Sequence, residues 1–589
     1  MTTATSCQWA WAQVVMATVR DAGIRRVITS PGSRSTPLVL AAAEAGLELF
    51  SIIDERSAAF FAVGGARVTG LPVALVCTSG SAGAHYFPAI IEASLAHVPV
   101  VAITADRPPE HHGAGASQTI DQIRLFGTFA RASVDLGPPS STPGALAGAR
   151  RRVAQAIATA QAPVPGPVHI NVPLRKPLEP PTGDMRRAAD DAAAAVLSVP
   201  AARATAIRCH ADPEAIASLT AACQRSRRGI LIAGAAGLGA GRGIDLLAAK
   251  TGFPLLCEAT SQLRFGPVAP ETLRIDAFDL FLSSAAVRAS LAPDLILCAG
   301  SEPSSTATLA YLAENLATPR IMLSGYGWND PQNAADLVVR GDPDDAAARC
   351  AKALPAACAE AEWRERFARA NQRAWQAFES VLGNGVGDGA MPEAAAVRAT
   401  IAALPTNAVL ALGNSLAVRM ADRAAPARST RIDVLSQRGA SGIDGLISGA
   451  AGAACASGRP TALLVGDVSF AHDCGGLLCA RGVRAPLAVV VIDNGGGRIF
   501  DELPVARSGL EPDLARHWLT PPNIDLISLA QSVGARTQTA RSPSEVAACV
   551  ARALAEPGLC VIRAVVVPAS ARELRAAIAR ILETEQDAP

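Results

Sequence analysis

Two apolar runs in the last third of the chain end in oxygen-bearing turns. TALLVG (461–466) leads into Asp467, and LAVVVID (487–493) leads into Asn494, Gly495 and Gly496. Asp467 offers a carboxylate oxygen, Asn494 an amide oxygen, and Gly496 a main-chain carbonyl with no side chain over it. This hard-oxygen set suits Mg²⁺, with phosphate oxygens completing the octahedron. In open α/β sheets ligands collect beyond the C-terminal ends of strands, where both turns fall. The turn after Gly466 opens a helix, so the N–H groups of Val468 and Ser469 are placed to hold a phosphate. Read alone, Asp467 is a helix cap and DNGGG a flexible loop. Their pairing on consecutive strands is what favours the metal and phosphate reading.

The elements that must position these residues are short apolar runs alternating with longer helical patterns. RVITS (26–30), PVALV (72–76), PVVAIT (99–104), GILIAG (229–234), DLILCAG (294–300) and CVIRAVVV (560–567) join the two runs above. Continuous apolar strands between helices indicate parallel sheets covered on both faces. The fold class expected is α/β, with doubly wound domains and mainly parallel sheets. Two stretches read as linkers: 181–206, a mixture of Pro, Ala and charge with no clear face, and the Gly-rich 383–392. They divide the chain into domains at 1–182, 205–380 and 392–580. The first and third look duplicated. Each has a small-residue helix, a Pro-led strand, a polar loop, a helix and a second Pro-led strand. Pro72 and Pro99 stand 27 positions apart, and Pro460 and Pro486 stand 26 apart. In the middle domain GAAGLGAGRG (234–243) invites a dinucleotide reading, but G-x-G-x-x-G fits no register, so a structural Gly-rich turn is expected.

Composition narrows the function classes. Lys+Arg is 53 and Asp+Glu 52, a formal charge of +1, which argues against a nucleic-acid binder held by a strong overall basic field. Only Lys176, Lys250 and Lys352 are Lys, leaving 50 Arg, so a single Arg carries little information. The 13 Cys are scattered with no CxxC, neither a disulfide framework nor a zinc site. The N-terminus lacks a basic region followed by an apolar one. The uncharged stretch 68–91 holds too many turn residues for a membrane span and reads as strand, loop and helix. A cytoplasmic protein is expected.

The Gly-Asp…Asn pattern in the last of three α/β domains resembles the thiamin diphosphate motif of the decarboxylase-type superfamily. Within it, the chain is similar over nearly its whole length to the menaquinone-pathway synthases of 2-succinyl-5-enolpyruvyl-6-hydroxy-3-cyclohexene-1-carboxylate (SEPHCHC). The segments that carry this are SPGSRSTPL (30–38), DERSAAFFAVGGAR (54–67), TSGSAGAHYFPAIIEA (78–93), TADRPPE (104–110), GASQTIDQIRLFG (115–127), GNSLAVR (413–419), QRGASGIDGL (437–446) and GDVSFAHD…DNGGGRIF (466–500). The resemblance implies pyrimidine-binding, central and diphosphate-binding domains in that order, with thiamin diphosphate and Mg²⁺ (Mn²⁺ as a substitute) as cofactors. It implies decarboxylation of 2-oxoglutarate and 1,4-addition of the succinic semialdehyde carbanion to isochorismate, giving SEPHCHC and CO₂.

Glu55 stands where that family places its activating glutamate, whose carboxyl shifts the aminopyrimidine to the imino form that takes the C2 proton. Ile52, Ile53, Phe60 and Phe61 are expected to surround it with an apolar pocket, which favours a proton-sharing carboxyl; read alone, a Glu at a helix start is a dipole partner. In the family this glutamate reaches thiamin bound by a neighbouring subunit, implying a homodimer or a dimer of dimers. Ile443 matches the bulky residue that supports the bent cofactor. Both substrates are dicarboxylates, and Arg forks suit carboxylates. Arg34, beside Ser33, matches a basic position of the family's substrate pocket. So do Arg419, one helical turn after Ser415, and Arg438. Gln118 and its neighbour Ser117 match polar contacts, and Ile499, Phe500 and Leu503 match the wall of the cyclohexadiene pocket.

There are departures. Ser117 replaces a common Asn, Ser81 and His85 replace Thr and Asn, and GSEPSSTATLAYL (300–312) has no Arg or Lys where relatives often place a cation. His472 has no firm family role and reads as structural. The alternatives are another thiamin-diphosphate 2-oxoacid decarboxylase or carboligase, and a non-catalytic homologue. Retention of Glu55, Asp467 and Asn494 together argues against the last.

Overall fold

The structure, a computed structural model, describes residues 2–584 apart from 203, 206, 384–390, 508 and 510. Eighteen strands among the described residues form three six-stranded sheets in which every pairing is parallel. The first holds β1 (Arg26–Thr29), β2 (Glu48–Ser51), β3 (Val73–Cys77), β4 (Val100–Asp106), β5 (Ala132–Asp135) and β6 (Pro167–Pro173). The second holds β7 (Gly229–Ala233), β8 (Leu255–Cys257), β9 (Arg274–Ile275), β10 (Leu295–Ala299), β11 (Arg320–Ser324) and β12 (Leu337–Arg340). The third holds β13 (Ala408–Leu412), β14 (Ile432–Ser436), β15 (Thr461–Gly466), β16 (Pro486–Asp493), β17 (Arg536–Ala540) and β18 (Gly558–Val565). Central strands such as VALVC, GILIA and LILCA are buried at every position. That explains their unbroken apolar character, because parallel sheets are covered on both faces.

The first and third sheets share one strand order. The first runs β2-β1-β3-β4-β6-β5 and the third β14-β13-β15-β16-β18-β17, so the expected duplication is present strand for strand. The middle sheet, β12-β11-β10-β7-β8-β9, is instead the doubly wound order with its switch point between β7 and β10.

The chain forms two compact units. One comprises residues 1–207, 439–457 and 473–482; the other comprises 208–438, 458–472 and 483–589. In the first unit the helix Leu446–Ser457 packs along the helix Glu55–Thr69. The contact is close because it is glycine against glycine: a Cβ on Gly64 would fall 1.9 Å from Gly449 O, and one on Gly452 1.9 Å from Phe61 O.

One expectation changes. The stretch 181–206, read as a linker, contains the helix Gly183–Leu197. Ala189, Ala193 and Val196 are buried, and the helix packs on the helices Thr2–Asp21 and Pro143–Gln161. Its apolar stripe is mostly Ala, too weak beside the surrounding charge to show in the sequence. Most of the second linker, 384–390, lies outside the described residues. The glycine-rich turn 234–243 is structural, as expected. Asp344 accepts from Gly241 N at 2.7 Å, Gly243 N at 2.7 Å and Ile244 N at 3.2 Å. The amides that a dinucleotide phosphate would need are therefore occupied by the protein's own carboxylate.

Candidate active site

At the C-terminal edge of the third sheet, Asp467 begins the helix Asp467–His472 directly after β15. Its carboxylate is buried and accepts from Val468 N and Gly496 N, each at 2.8 Å; burial raises its pKa. Val468 N–H is thus already engaged, rather than free for a phosphate, and Ser469 beside it is buried. Asn494 follows β16. Its Nδ2 donates to the Glu393 carboxylate at 3.0 Å, and its Oδ1 is buried with no hydrogen-bond partner. An unsatisfied buried carbonyl is costly, so that oxygen marks a place for a missing electrophile. Gly496 has φ +124°, and a Cβ there would lie 2.5 Å from Leu519 O. Its carbonyl accepts from Arg498 N at 2.8 Å and keeps a second lone pair. Arg498 also ties Asn494 O at 3.0 Å, so this loop is held, not flexible. Among the described residues no three acidic, His or Cys side chains cluster as metal ligands. One carboxylate, one orphaned amide oxygen and one carbonyl therefore fit a cation only if an anionic cofactor supplies the rest.

In the first unit Glu55 is the first residue of its helix, after the cap Asp54. Among the described residues nothing hydrogen-bonds its half-buried carboxylate. Its charge acts on the Cys77 thiol and the Tyr86 phenol, both held protonated mainly by burial. Ile52, Phe60 and Phe61 are buried, but Ile53 is 70% exposed, so the four expected apolar neighbours do not all turn inward. Ile443 is half-buried in the turn before the helix Leu446–Ser457. That turn is pressed onto the Glu55 helix: a Cβ on Gly445 would fall 1.9 Å from the Phe60 ring. Its start is pinned by Glu92, which accepts from Gly439 N at 3.1 Å and Ala440 N at 2.7 Å.

Arg34 is buried in a 3-10 turn after β1, with Ser33 exposed beside it. One guanidinium nitrogen donates to Leu174 O at 2.7 Å, while Nε is buried without a partner. Burial and then the charge of Arg107 lower its pKa. Gln118 sits at φ +57° with its amide against Ser79 O at 3.2 Å, and Arg107 reaches Gln118 O at 3.4 Å. Ser117 beside it is exposed. In the second unit Ser415, at φ +66°, precedes the helix Leu416–Ala424 without a side-chain cap bond, and Arg419 donates back to Ser415 O at 2.6 Å. Arg438 donates to Asn414 Oδ1 at 3.3 Å. Burial, and then the charges of Arg438 and Arg423, lower the Arg419 pKa. Ile499 and Phe500 are half-buried and Leu503 is 39% exposed, on the 3-10 turn that follows the glycine loop.

Three residues escape the sequence reading. Arg107 joins Arg34 and Gln118. Glu393 orients Asn494. Arg423 is a buried clamp, with Nε on Asp279 at 2.6 Å and its other nitrogens on both Glu502 oxygens; it ties the helix of Arg419 to the turn of Ile499 and Phe500. Only Arg107 had a signal, its place just past a strand in TADRPPE. His472 is exposed. Its neighbour Asp473 is buried and caps the helix Leu446–Ser457 through Ile447 N at 2.8 Å and Ser448 N at 3.0 Å.

Residues 10–125 match the N-terminal TPP binding domain of thiamine pyrophosphate enzymes, and residues 420–564 match the C-terminal one. A 2-succinyl-5-enolpyruvyl-6-hydroxy-3-cyclohexene-1-carboxylate synthase from Sorangium cellulosum is 42% identical over 95% of this chain and 93% of its own. Synthases of the same name from Myxococcus xanthus (36%, 92% of each chain) and Halorubrum lacusprofundi (37%, 91% of each) are also similar. The crystal structure of benzoylformate decarboxylase from Polynucleobacter necessarius superposes with TM-score 0.70 over 95% of this chain and 98% of that one. At 16% identity that likeness concerns the fold. The chain belongs to the family of thiamine pyrophosphate-dependent 2-succinyl-5-enolpyruvyl-6-hydroxy-3-cyclohexene-1-carboxylate synthases.

Proposed function

We propose that this protein decarboxylates 2-oxoglutarate and joins the remaining four-carbon unit to the β-carbon of isochorismate, releasing CO₂ and SEPHCHC in menaquinone biosynthesis. The observation that carries the substrate class is the occurrence of arginines crowded against each other. Burial, and then the charge of Arg107, disfavour the Arg34 charge; burial, and then the charges of Arg438 and Arg423, disfavour that of Arg419. A guanidinium in that setting is relieved by an anion, and both substrates are dicarboxylates.

Thiamin diphosphate, when bound, supplies the nucleophilic carbon and the electron sink. Asp467, Asn494 Oδ1 and the Gly496 carbonyl would hold Mg²⁺ or Mn²⁺, with Gly466, Val468 and Ser469 shaping the turn for the diphosphate. Glu55 would hold a proton at its carboxyl facing the cofactor's ring, and Ile443 would pack against the cofactor. Arg34, Arg419 and Arg438, with Ser33, Ser117, Gln118 and Ser415, orient the carboxylates. Ile499, Phe500 and Leu503 wall the ring and exclude water, so that position and charge do the protein's share of the work. The domains are 1–182 for pyrimidine, 205–380 central and 392–580 for diphosphate. The active assembly is a homodimer or a dimer of dimers. A cytoplasmic setting is supported by the 13 free cysteines, and no helix among the described residues is long and apolar enough to cross a membrane.

The test supplies thiamin diphosphate, Mg²⁺ and 2-oxoglutarate, with and without isochorismate, and follows CO₂ together with isochorismate absorbance. The proposal expects the two to change in equal amounts. Release of CO₂ with isochorismate untouched would leave a plain decarboxylase.

A further inference from the structure

Two carboxyl groups in the second unit are fully buried and share one serine. Glu258 Oε1 accepts from Ser304 N, and from Ser304 Oγ at 2.9 Å. Ser304 Oγ also stands 3.3 Å from Asp422 Oδ2, and Asp422 Oδ1 accepts from Ala259 N at 2.6 Å. Among the described residues no Arg, Lys or His hydrogen-bonds either carboxyl. Ser304 lies in the segment 300–312 that has no cation, so a neutral hydroxyl faces the pair.

The pair is wedged between the two elements that carry the substrate arginines. Asp422 is one helical turn after Arg419 on the helix Leu416–Ala424. The turn that begins at Glu258 docks on β14, with Gln262 Nε2 on Val434 O at 2.7 Å and Val434 N on Gln262 Oε1 at 3.1 Å. Arg438 follows that strand two residues on. We infer that Glu258 is a positioning residue whose carboxyl, shared with Asp422 across Ser304, stays protonated at neutral pH and so leaves the charge of Arg438 and Arg419 free for a substrate carboxylate.

Two buried carboxyls this close cannot both ionise cheaply. Burial and then the Asp422 charge push the Glu258 carboxyl well above the usual carboxylate range; burial pushes Asp422 up as well. The opposing groups are few. The Arg264 guanidinium, bound to the main-chain oxygens of Cys257, Asp422 and Ala425, favours the Asp422 anion. Arg438 favours the Glu258 anion. Arg423 is committed to Asp279 and Glu502, and Asp433 on β14 to Arg459. When the pair releases its last proton to solvent, a second negative charge appears beside Arg438 and competes with the substrate.

This inference rests on the reading that Arg419 and Arg438 hold a substrate carboxylate, and the experiment separates the two. KM for 2-oxoglutarate and kcat are measured on the holoenzyme from about pH 6.5 to about pH 9.5, for wild type, Glu258→Gln, Asp422→Asn and Arg438→Ala. Wild-type KM rises about fivefold or more between about pH 7 and about pH 9, with kcat changing less. Glu258→Gln lacks that rise and stays within about threefold of wild type near pH 7. Asp422→Asn, with one charge removed, moves the rise to lower pH. Difference infrared spectra of wild type against Glu258→Gln near neutral pH show the carbonyl stretch of a protonated carboxylic acid. A flat wild-type profile, a rise retained in Glu258→Gln, a rise unmoved in Asp422→Asn, or no such stretch would each overturn the inference. If Glu258→Gln does not fold, the wild-type and Asp422→Asn profiles decide alone. An unchanged KM in Arg438→Ala with the infrared band present would break the substrate reading and leave the protonated carboxyl standing.

Discussion

The first and third sheets have the same strand order, yet equivalent strand ends do different chemistry. After their first strands, β1 and β13, both carry a serine and then an arginine: Ser33 beside Arg34, and Ser415 one helical turn before Arg419. After their second strands, β2 and β14, one carries Glu55 and the other Arg438. The sharpest contrast comes after the fourth strands. Asp106 ends β4 and is fully satisfied, accepting from Asn171 Nδ2 at 2.8 Å and Arg107 N at 2.7 Å. Asn494 follows β16 and keeps an orphaned oxygen. The fold offers the same edge twice: after the fourth strand the first sheet leaves a carboxylate already paired, and the third leaves an acceptor oxygen unpaired, where a cation would fit. The Asp344-filled glycine turn of the middle domain makes the same point, since its amides are already used.

The largest effect that would sharpen this contrast is Asp467→Ala. It should abolish retention of thiamin diphosphate and Mg²⁺ and reduce turnover by about a thousandfold or more, read by calorimetric titration and CO₂ release. Asp106→Asn, at the first-sheet edge, should leave cofactor affinity unchanged, and equal losses in both variants would erase the distinction. Next come the paired arginines. Arg34→Ala and Arg419→Ala should each raise substrate KM by about tenfold to a hundredfold, the worth of one charged hydrogen-bonding group; steady-state kinetics decides. Glu393→Ala removes the partner that turns the Asn494 oxygen outward, and metal affinity should fall by about tenfold or more at constant fold, measured by Mn²⁺ titration.

The smallest effect is on stability. The first sheet buries a polar network, with His169 Nε2 2.8 Å from Thr104 Oγ1, where β18 is mostly apolar. Burial pushes His169 down to about 4, while the unfolded chain takes up that proton near its ordinary value of about 6.5. Its neutral form therefore supports folding fully above about pH 6.5, and that support is lost as pH falls toward about 4, by about 3 kcal/mol at most. His169→Gln should flatten the acid limb of thermal stability followed by circular dichroism. An unchanged limb would remove this difference between the sheets.

Much of this was legible in the sequence because consecutive parallel strands put their last residues on one edge. Placing Gly466, Asp467, Asn494 and Gly496 at that edge needed only that rule, and the matched Pro72–Pro99 and Pro460–Pro486 units foretold the shared topology. What stayed hidden acts over distance in sequence. Glu393 reaches Asn494 from 101 residues away, Arg423 reaches Asp279 from 144, and Ser304 bridges Glu258 to Asp422. The helix Gly183–Leu197 was missed because alanines make a faint stripe. Ile53 was misplaced because a residue two before a helix start can face either way.

We propose a division of labour in which the third-sheet edge would hold the cofactor and Glu55, after β2 of the first sheet, would activate it. Exchange of the cofactor's C2 proton into D₂O, quenched and read by NMR, tests this most directly, alongside the cofactor affinity of the same samples. Glu55→Gln should bind thiamin diphosphate and Mg²⁺ with near wild-type affinity and lose exchange by about a hundredfold or more. Exchange at the wild-type rate in Glu55→Gln would contradict the account.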